Sequence, residues 1–404
     1  MIFETLSSNA SSPAGKQRHC LDRVQMKVLV CVWGLSGGGA ERVTVTLSGA
    51  LRTLGCEVVL SVSDPNGPFL QFVENGVVLE AADSRSHLTA FIHLKNLIKR
   101  FKPDIIVSHQ TPRNVLSILA HLSTPDRAKR KIVVVEHGEM DYNSKQKGLG
   151  RRFYYFLARH IYRFSDSIVA CSDNIAQAAS EYILPAGTSV LSLPNPVLNR
   201  QMKALAREAV QHPWVLDSEA VPLLLGVGRL VDQKNFDLLI DAFALVASKR
   251  RVRMMILGEG PFRERLEEKI RTRGLQEIVA LPGQVDNPFG YMAAARTLVL
   301  SSKWEGLPTV AIEALYCGAQ VVSTPNSSGI VEILDGGQSG WIVEDFDPHK
   351  LAEAILESLE VPFAKSRLSQ QAERYDELTS AAQYLEHFRH LVARDMLIDG
   401  VKVA

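Results

Sequence analysis

Two glutamates separated by seven residues, Glu305 and Glu313, flank the part of this sequence that is best suited to hold a phosphate. The amides of Gly306 and Leu307 follow the first carboxylate, and Pro308 suits a first helical position, where its missing N–H costs nothing. Amides at a helix start, together with the helix dipole, bind phosphate. Carboxylates on both sides of such a cradle suit a ligand with hydroxyls on both sides of its phosphates, such as a nucleotide sugar. The plain alternative is one loop glutamate and one surface-helix glutamate.

Two cations, Arg229 and Lys234, follow a second apolar run that ends at Gly228. An arginine gives a planar fork to one phosphate, and a lysine gives a point charge to another. This spacing therefore favours a diphosphate ligand. The alternative is a solvated lysine at a helix start and an arginine in a surface ion pair.

A glycine-rich loop follows the first apolar run, residues 27–32. Its glycines are Gly34, Gly37, Gly38 and Gly39. They permit unusual backbone angles and close approach of a ligand. The spacing differs from G-x-G-x-x-G, yet Asp64 at the end of the next run is placed like the acid that binds an NAD ribose. An NAD-dependent dehydrogenase therefore remains an alternative.

Short apolar runs that alternate with helical patterns must position these residues. We interpret residues 27–32, 57–62, 102–109, 131–138, 167–172, 297–300 and 319–324 as strands. Nearly continuous apolar runs are typical of parallel strands buried on both faces, and their alternation with helices predicts doubly wound α/β domains. The pattern restarts near residue 222 after a polar stretch, which predicts a boundary near residue 198. His109 and His137 end two runs, at the edge where open α/β sheets hold ligands.

Length and composition fit two globular domains. The chain has 404 residues, of which 46% are hydrophobic and 22% charged, with a net charge of +1. Neutrality gives no general attraction to nucleic acid, so we expect no nucleic-acid partner. The five cysteines show no paired spacing, which predicts free thiols and a reducing compartment, the cytoplasm. Residues 1–25 are polar, so we expect a flexible extension.

Residues 145–164 combine an aromatic pattern with a cluster of positive charge. Phe153, Phe156, Leu157, Ile161 and Phe164 share one stripe at helical spacing. The first interpretation is a helix that packs this stripe on the sheet. The second is peripheral contact with an anionic membrane on its inner face.

The two glutamates followed by Gly-Leu-Pro, together with the Gly-Arg-x4-Lys spacing, resemble the donor site of retaining glycosyltransferases of family 4. The resemblance covers about residues 27–360. It implies the GT-B fold, in which two Rossmann-like domains face each other across an active-site cleft. Residues 26–198 would form the acceptor-side domain and 199–375 the donor domain, with helices of about 376–404 packing back on the first.

The resemblance also implies roles for single residues. Glu305 would contact the donor sugar, Glu313 the ribose, and Arg229 with Lys234 the diphosphate. His137 would contact a sugar hydroxyl near the reacting atoms. The further donor-binding residues implied are Gly37, Gly38, Gly39, Gly258, Gln284, Val285, Gly306 and Leu307.

The implied reaction moves a hexosyl or N-acetylhexosaminyl group from a nucleotide sugar, a UDP-sugar, to a glycan or lipid-linked acceptor with retained configuration. We expect no cofactor and no metal. Asp345 and Asp347 match an Asp-x-Asp metal motif, but Asp347 before Pro348 is typical of a helix start. A sugar-nucleotide epimerase and a catalytically idle nucleotide-binding protein stay open as alternatives.

Overall fold

The computed structural model describes residues 25–35, 38–82, 86–137, 156–182 and 189–401. The first domain is built on a seven-stranded parallel sheet with the strand order β3-β2-β1-β4-β5-β6-β7. Its strands are β1 Lys27–Gly34, β2 Glu57–Asp64, β3 Val78–Ala81, β4 Ile105–His109, β5 Lys131–Glu136, β6 Ser167–Ala170 and β7 Leu191–Ser192. Its helices are α1 Gly39–Thr53, α2 His87–Phe101, α3 Thr111–Leu122 and α4 Asp173–Tyr182. Residues 156–161 are also helical.

The second domain repeats this plan on a six-stranded parallel sheet with the order β10-β9-β8-β11-β12-β13. Its strands are β8 Leu223–Val227, β9 Arg253–Leu257, β10 Val279–Gly283, β11 Thr297–Leu300, β12 Gln320–Ser323 and β13 Trp341–Ile342. The remaining helices are α5 Arg200–Leu205, α6 Pro213–Leu216, α7 Phe236–Ala247, α8 Arg263–Thr272, α9 Pro288–Ala294, α10 Thr309–Tyr316, α11 Ser328–Ile333, α12 Pro348–Glu360, α13 Lys365–Ala372 and α14 Glu377–Val401. The predicted fold class, two Rossmann-like domains, is confirmed.

Both faces of each sheet are covered, which explains the continuous apolar runs. Along β1, Val28, Val30 and Val32 join one core cluster, while Leu29 and Cys31 join the cluster on the opposite face. The described cysteines are free: Cys31, Cys56 and Cys171 are buried, and Cys317 is half-buried. The expectation of unpaired thiols holds for these four.

The last helix returns to the first domain. Ala381, Tyr384 and Phe388 of α14 are fully buried in the core cluster that contains Val28 and Val30 of β1. The two segments that cross between the domains lie side by side, because the amides of Val197 and Leu198 both donate to the carbonyl oxygen of Tyr375, at 2.9 and 3.0 Å. The side chains of Lys203 and Asp376 form an ion pair beside this crossing.

The predicted aromatic stripe is partly wrong. Between residues 156 and 164, the part of this segment that the structure describes, Ala158 and Tyr162 are the fully buried residues. Phe156 and Phe164 are instead 59% and 45% exposed, because the inward face of the helix is centred on Ala158. Residues 145–155, which include Phe153, lie outside the described residues, as do residues 1–24. Within the described part of the chain, no helix combines the length and the apolar character needed to cross a membrane.

Candidate active site

The loop after β11 holds Glu305 in a fixed position. The amide of Glu305 donates to the carbonyl oxygen of Asn326 at 2.9 Å. Its Oε1 accepts from the hydroxyl of Ser302 at 2.7 Å and lies 2.5 Å from Nζ of Lys234. Both side chains of this ion pair are largely buried, at 18% and 11% exposure for Lys234 and Glu305. The structure therefore joins two residues that are far apart in the sequence and were predicted to serve one ligand.

The amides of Gly306 and Leu307 lie directly before α10. Within the part of the chain that the structure describes, neither amide donates to an acceptor of the protein. The helix starts one residue later than expected: Thr309 is its first residue, and Pro308 is the N-cap, with φ −73° and ψ 84°. A ψ of this value is not helical, so the first turn begins after the proline. The two amides and the start of the helix dipole still provide the electrostatics of an anion site.

Glu313 lies inside α10 and is only 4% exposed. Its Oε1 lies 2.5 Å from Nη1 of Arg42, which comes from the first turn of α1 in the other domain. Burial raises the pKa of Glu313, whereas Arg42 and then Lys234 oppose that rise. Sequence reasoning missed Arg42, since no local pattern links two residues that distant in the chain.

The loops after β8 and β9 cross at very short range. Gly258 has φ +139°, and a Cβ built on it would lie 2.0 Å from the carbonyl oxygen of Gly228. Gly228 has φ +152°, and its own Cβ would lie 2.8 Å from Cε of Lys234. The absence of a side chain at Gly228 and Gly258 therefore lets the two loops pack closely against each other and against Lys234, which pairs with Glu305. Gly258, predicted as a donor contact, has at least this structural role.

Arg229 follows Gly228 and is exposed. No described residue forms a hydrogen bond or an ion pair with its guanidinium. An arginine side chain that has no partner among the described residues can give its full fork to an anion. Gln284 and Val285 follow the turn at Gly283, which has φ +90°; Gln284 is exposed and Val285 is half-buried.

His137, at the end of β5, stacks on His109, at the end of β4, with ring centroids 5.0 Å apart. His109 Nδ1 lies 2.7 Å from His137 Nε2, and the amide nitrogen of Asn195 lies 3.5 Å from His137 Nδ1. Because an amide nitrogen only donates, His137 Nε2 carries the proton that bonds His109. Burial lowers the pKa of His137 to about 4, so its ring is neutral at neutral pH.

A buried polar network surrounds the carboxylate of Glu136, the residue that precedes His137. Glu136 is 3% exposed, and its carboxylate accepts from the hydroxyl of Tyr162, from Asn114 and from Thr111. Burial raises the pKa of Glu136, while the same hydrogen bonds lower it. These partners and Asn195 were not found from the sequence. The contact predicted between His137 and a sugar therefore requires a hydroxyl to replace Asn195 at Nδ1.

The glycine loop lies at the same edge of the first sheet. Gly38 is the N-cap of α1, and Gly39 is its first residue, both exposed. Gly37 lies outside the described residues. Glu41 Oε1 accepts from the side-chain amide of Gln110 at 3.2 Å, which ties the start of α1 to the start of α3.

The two carboxylates of the Asp-x-Asp match bond to neighbouring residues at the start of a helix. The side chain of Asp347 accepts from the amide of His349 at 2.7 Å and caps α12, with Pro348 at the first position. The carboxylate of Asp345 pairs with Lys350 at 2.9 Å, and hydrogen bonding to Lys350 lowers its pKa. Both carboxylates thus have the partners of an ordinary helix start.

Two family models match the chain. The model described as Glycosyltransferase Family 4 matches residues 37–197, and the model described as Glycosyl transferases group 1 matches residues 212–375. The first match includes Gly37, Gly38, Gly39 and His137, and the second includes both glutamates with Arg229 and Lys234.

Relatives and solved structures agree with these matches. An uncharacterised glycosyltransferase of Methanocaldococcus jannaschii is 27% identical over 243 residues, and the match spans 59% of this chain and 59% of that relative. A Campylobacter jejuni enzyme named N-acetylgalactosamine-N,N'-diacetylbacillosaminyl-diphospho-undecaprenol 4-alpha-N-acetylgalactosaminyltransferase is 27% identical over 83% of this chain and 90% of its own.

Among solved structures, HepE of Anabaena in complex with UDP superposes with a TM-score of 0.73 at 20% identity, over 90% of this chain and 99% of HepE. That likeness shows a shared fold, and the two family models together cover both domains of this chain. The chain thus belongs to the glycosyltransferases of family 4 and has the GT-B fold.

Proposed function

We propose that the protein transfers a sugar from a UDP-sugar to a hydroxyl of a glycan or lipid-linked acceptor, with retention of configuration at the anomeric carbon. One observation carries the proposal. The amides of Gly306 and Leu307, the Lys234–Glu305 pair and the guanidinium of Arg229, which has no partner among the described residues, all lie in loops at the carboxyl edge of the second sheet. Such a set neutralises a diphosphate and still offers carboxylates to sugar and ribose hydroxyls.

The proposed chemistry is mainly electrostatic. As the bond between the anomeric carbon and the diphosphate breaks, Arg229, Lys234 and the two amides stabilise the negative charge on the leaving group. The acceptor hydroxyl attacks from the face that the diphosphate leaves, and its proton passes to the departing phosphate oxygen. No side chain then needs to serve as a nucleophile, and the neutral ring of His137 needs only to bond a hydroxyl.

Two comparisons support the choice of substrates. HepE was solved with UDP, which supports UDP as the nucleotide here. The Campylobacter enzyme is named for a diphospho-undecaprenol-linked acceptor, which supports a lipid-linked acceptor and a role in polysaccharide or glycolipid synthesis. The direct test is mass spectrometry of products from a panel of nucleotide sugars and lipid-linked acceptors. A panel in which only non-sugar nucleotides bind, or in which NAD alone binds, would overturn the proposal.

The two glutamates should differ in what they recognise. Glu313→Gln should weaken free UDP and donor alike, whereas Glu305→Gln should weaken the intact donor and spare free UDP. A lost hydrogen bond to a charged group costs about 1.5–3 kcal/mol, roughly ten- to a hundredfold in affinity. Calorimetric titration with UDP and with a UDP-sugar analogue measures both. Equal losses of UDP affinity in the two variants would contradict this division.

We also propose that transfer needs no divalent metal, because the cations and amides of the site already neutralise the diphosphate. Activity should survive excess EDTA, and Asp345→Ala should change kcat by less than about twofold, since the partners of Asp345 among the described residues are Lys350 and the amide of Asp347. Activity that is abolished by EDTA and restored by Mn²⁺ would refute metal independence.

We further propose a cytoplasmic protein that touches an anionic membrane through residues 145–164. Phe156, Arg159, Arg163 and Phe164 are exposed, and the Arg163 guanidinium lies 4.8 Å from the centre of the Phe164 ring. Each basic residue near an anionic surface contributes about 1 kcal/mol, so Arg159→Glu with Arg163→Glu should lower vesicle affinity by at least about tenfold.

The control for this test is the pair Arg271→Glu and Arg273→Glu, which makes the same change of charge on exposed residues of the second domain. Co-sedimentation with vesicles that contain anionic lipid measures binding, at low salt and again at high salt. Wild-type protein that stays in solution at low salt, or equal losses in the two double variants, would remove the membrane contact.

A further inference from the structure

One ion pair joins the two domains directly at the candidate site. Nη1 of Arg42 in α1 lies 2.5 Å from Oε1 of Glu313 in α10. Arg42 also lies over the ring of Phe289 in α9, with Cζ 5.4 Å from the ring centre. The arginine therefore touches two helices of the opposite domain, one through charge and one through its planar face.

We propose that Arg42 is a positioning residue, which orients the Glu313 carboxylate for the ribose and makes nucleotide affinity depend on the contact between the two domains. The inference rests on the proposed function, because it takes Glu313 as the group that receives the nucleotide. It adds a charged side chain of the acceptor-side domain to a site whose glutamates, Arg229 and Lys234 lie in the second domain.

The geometry leaves room for both partners on one carboxylate. Arg42 bonds Oε1, and no hydrogen bond from the described residues reaches Oε2 of Glu313. The arginine is itself held, because its side chain is only 25% exposed and lies over Phe289. The next residue, Val43, is 2% exposed and packs in the core cluster that contains Ile312 of α10. The start of α1 is thus seated on the second domain.

The charges around Glu313 explain why the pair matters. Burial raises the pKa of this carboxyl, and Arg42 is the largest opposing influence, followed by Lys234. Lys234 is engaged by Glu305, and Cys317 at the end of the same helix is a thiol whose own pKa burial raises to about 12. Without Arg42, the carboxyl becomes protonated at a pH where the wild-type group is still ionised, and a protonated carboxyl is a weaker acceptor for ribose hydroxyls.

The sign of the pH effect follows from this argument. Loss of Arg42 raises the pKa of Glu313, so nucleotide affinity of Arg42→Met should fall as the pH is lowered and recover as the pH is raised. The wild-type protein should keep a flatter profile over the same range. Arg42→Lys keeps a positive charge but loses the planar fork, so it should restore the flat profile with part of the affinity.

The experiment is calorimetric titration of the full-length protein with UDP across the pH range in which it stays folded. Arg42→Met should lose roughly ten- to a hundredfold in affinity at neutral pH, as expected if Glu313 without its orienting arginine loses one charge-assisted hydrogen bond to the ribose. The matched control is Lys203→Met, which breaks an ion pair at the crossing between the domains, Lys203–Asp376. This control should bind UDP like the wild type.

Three outcomes would overturn the inference. The first is wild-type UDP affinity and a wild-type pH profile in Arg42→Met. The second is an equal loss of UDP affinity in Lys203→Met, which indicates general loosening of the domains, and the third is that Arg42→Met lowers UDP affinity by the same factor in a Glu313→Gln background as in the wild type, which indicates a direct contact with the nucleotide. If the wild-type protein itself binds no nucleoside diphosphate, the proposed function fails instead.

Discussion

Arg229→Ala and Lys234→Ala should each lower kcat roughly 100- to 1,000-fold, about 2.7–4 kcal/mol, if the two cations act like donors of an oxyanion hole. The charge that builds on the leaving diphosphate adds to the charge that it already carries in the bound donor, so the loss should appear in kcat as well as in KM. Steady-state rates with a UDP-sugar donor measure this directly.

The two variants should also differ from each other. Lys234→Ala leaves Glu305 with Ser302 as its remaining side-chain partner, so it should disturb donor-sugar recognition as well as the leaving group. Arg229 has no protein partner among the described residues, so its removal should act on the diphosphate alone. Lys303→Ala is the matched control, because Lys303 pairs with Asp232 at 2.6 Å on the outside of the same loops. A tenfold or smaller loss in both variants, or an equal loss in the control, would contradict the electrostatic role.

Gly258→Ala should strongly destabilise the second domain and abolish donor binding. A residue with a side chain at φ +139° is strained by about 1–3 kcal/mol before any contact is considered. The added Cβ would in addition lie 2.0 Å from the carbonyl oxygen of Gly228, a backbone atom that cannot move without displacing the loop of Arg229. Thermal unfolding followed by circular dichroism, together with UDP titration, measures both effects.

Gly274→Ala is the control for this substitution. Gly274 also has a positive φ, +67°, but a Cβ there meets no atom within 4 Å. It should therefore cost about 1 kcal/mol, as expected for the left-handed conformation alone, and leave UDP affinity unchanged. Equal shifts of the melting temperature in the two alanine variants would show that the close approach at Gly258 has no importance.

Local patterns predicted the strands that are buried on both faces. The runs 28–32 of β1 and 298–300 of β11 are apolar throughout, and all of their residues are buried. The edge strands β3 and β7 were missed, because Val78–Ala81 is half-exposed and Leu191–Ser192 has only two residues. An edge strand with one poorly covered side carries little hydrophobic signal.

In the candidate site, too, the residues with a local sequence pattern were predicted, and those whose role depends on distant contacts were not. The glutamates, Arg229 and Lys234 each stand beside a strand end and a turn, so spacing alone singled them out. The partners Arg42 and Asn195 were not visible, because Arg42 reads as an ordinary residue of a first helical turn, and Asn195 as an ordinary residue of a proline-rich loop. Arg42 gains its role from the packing of one domain on the other, and Asn195 gains its role from the fold of the first domain, which brings the loop after β7 to the end of β5.

The return of α14 to the first domain sets an order of events during synthesis on the ribosome. The face of α1 and β1 that Tyr384 and Phe388 cover stays open until nearly the whole chain has been made. The second domain, whose strands end at Ile342, can close its sheet before that moment. Nascent chains that stop before Tyr384 should therefore hold a folded second domain and an incomplete first one, the reverse of the usual order from the N-terminus.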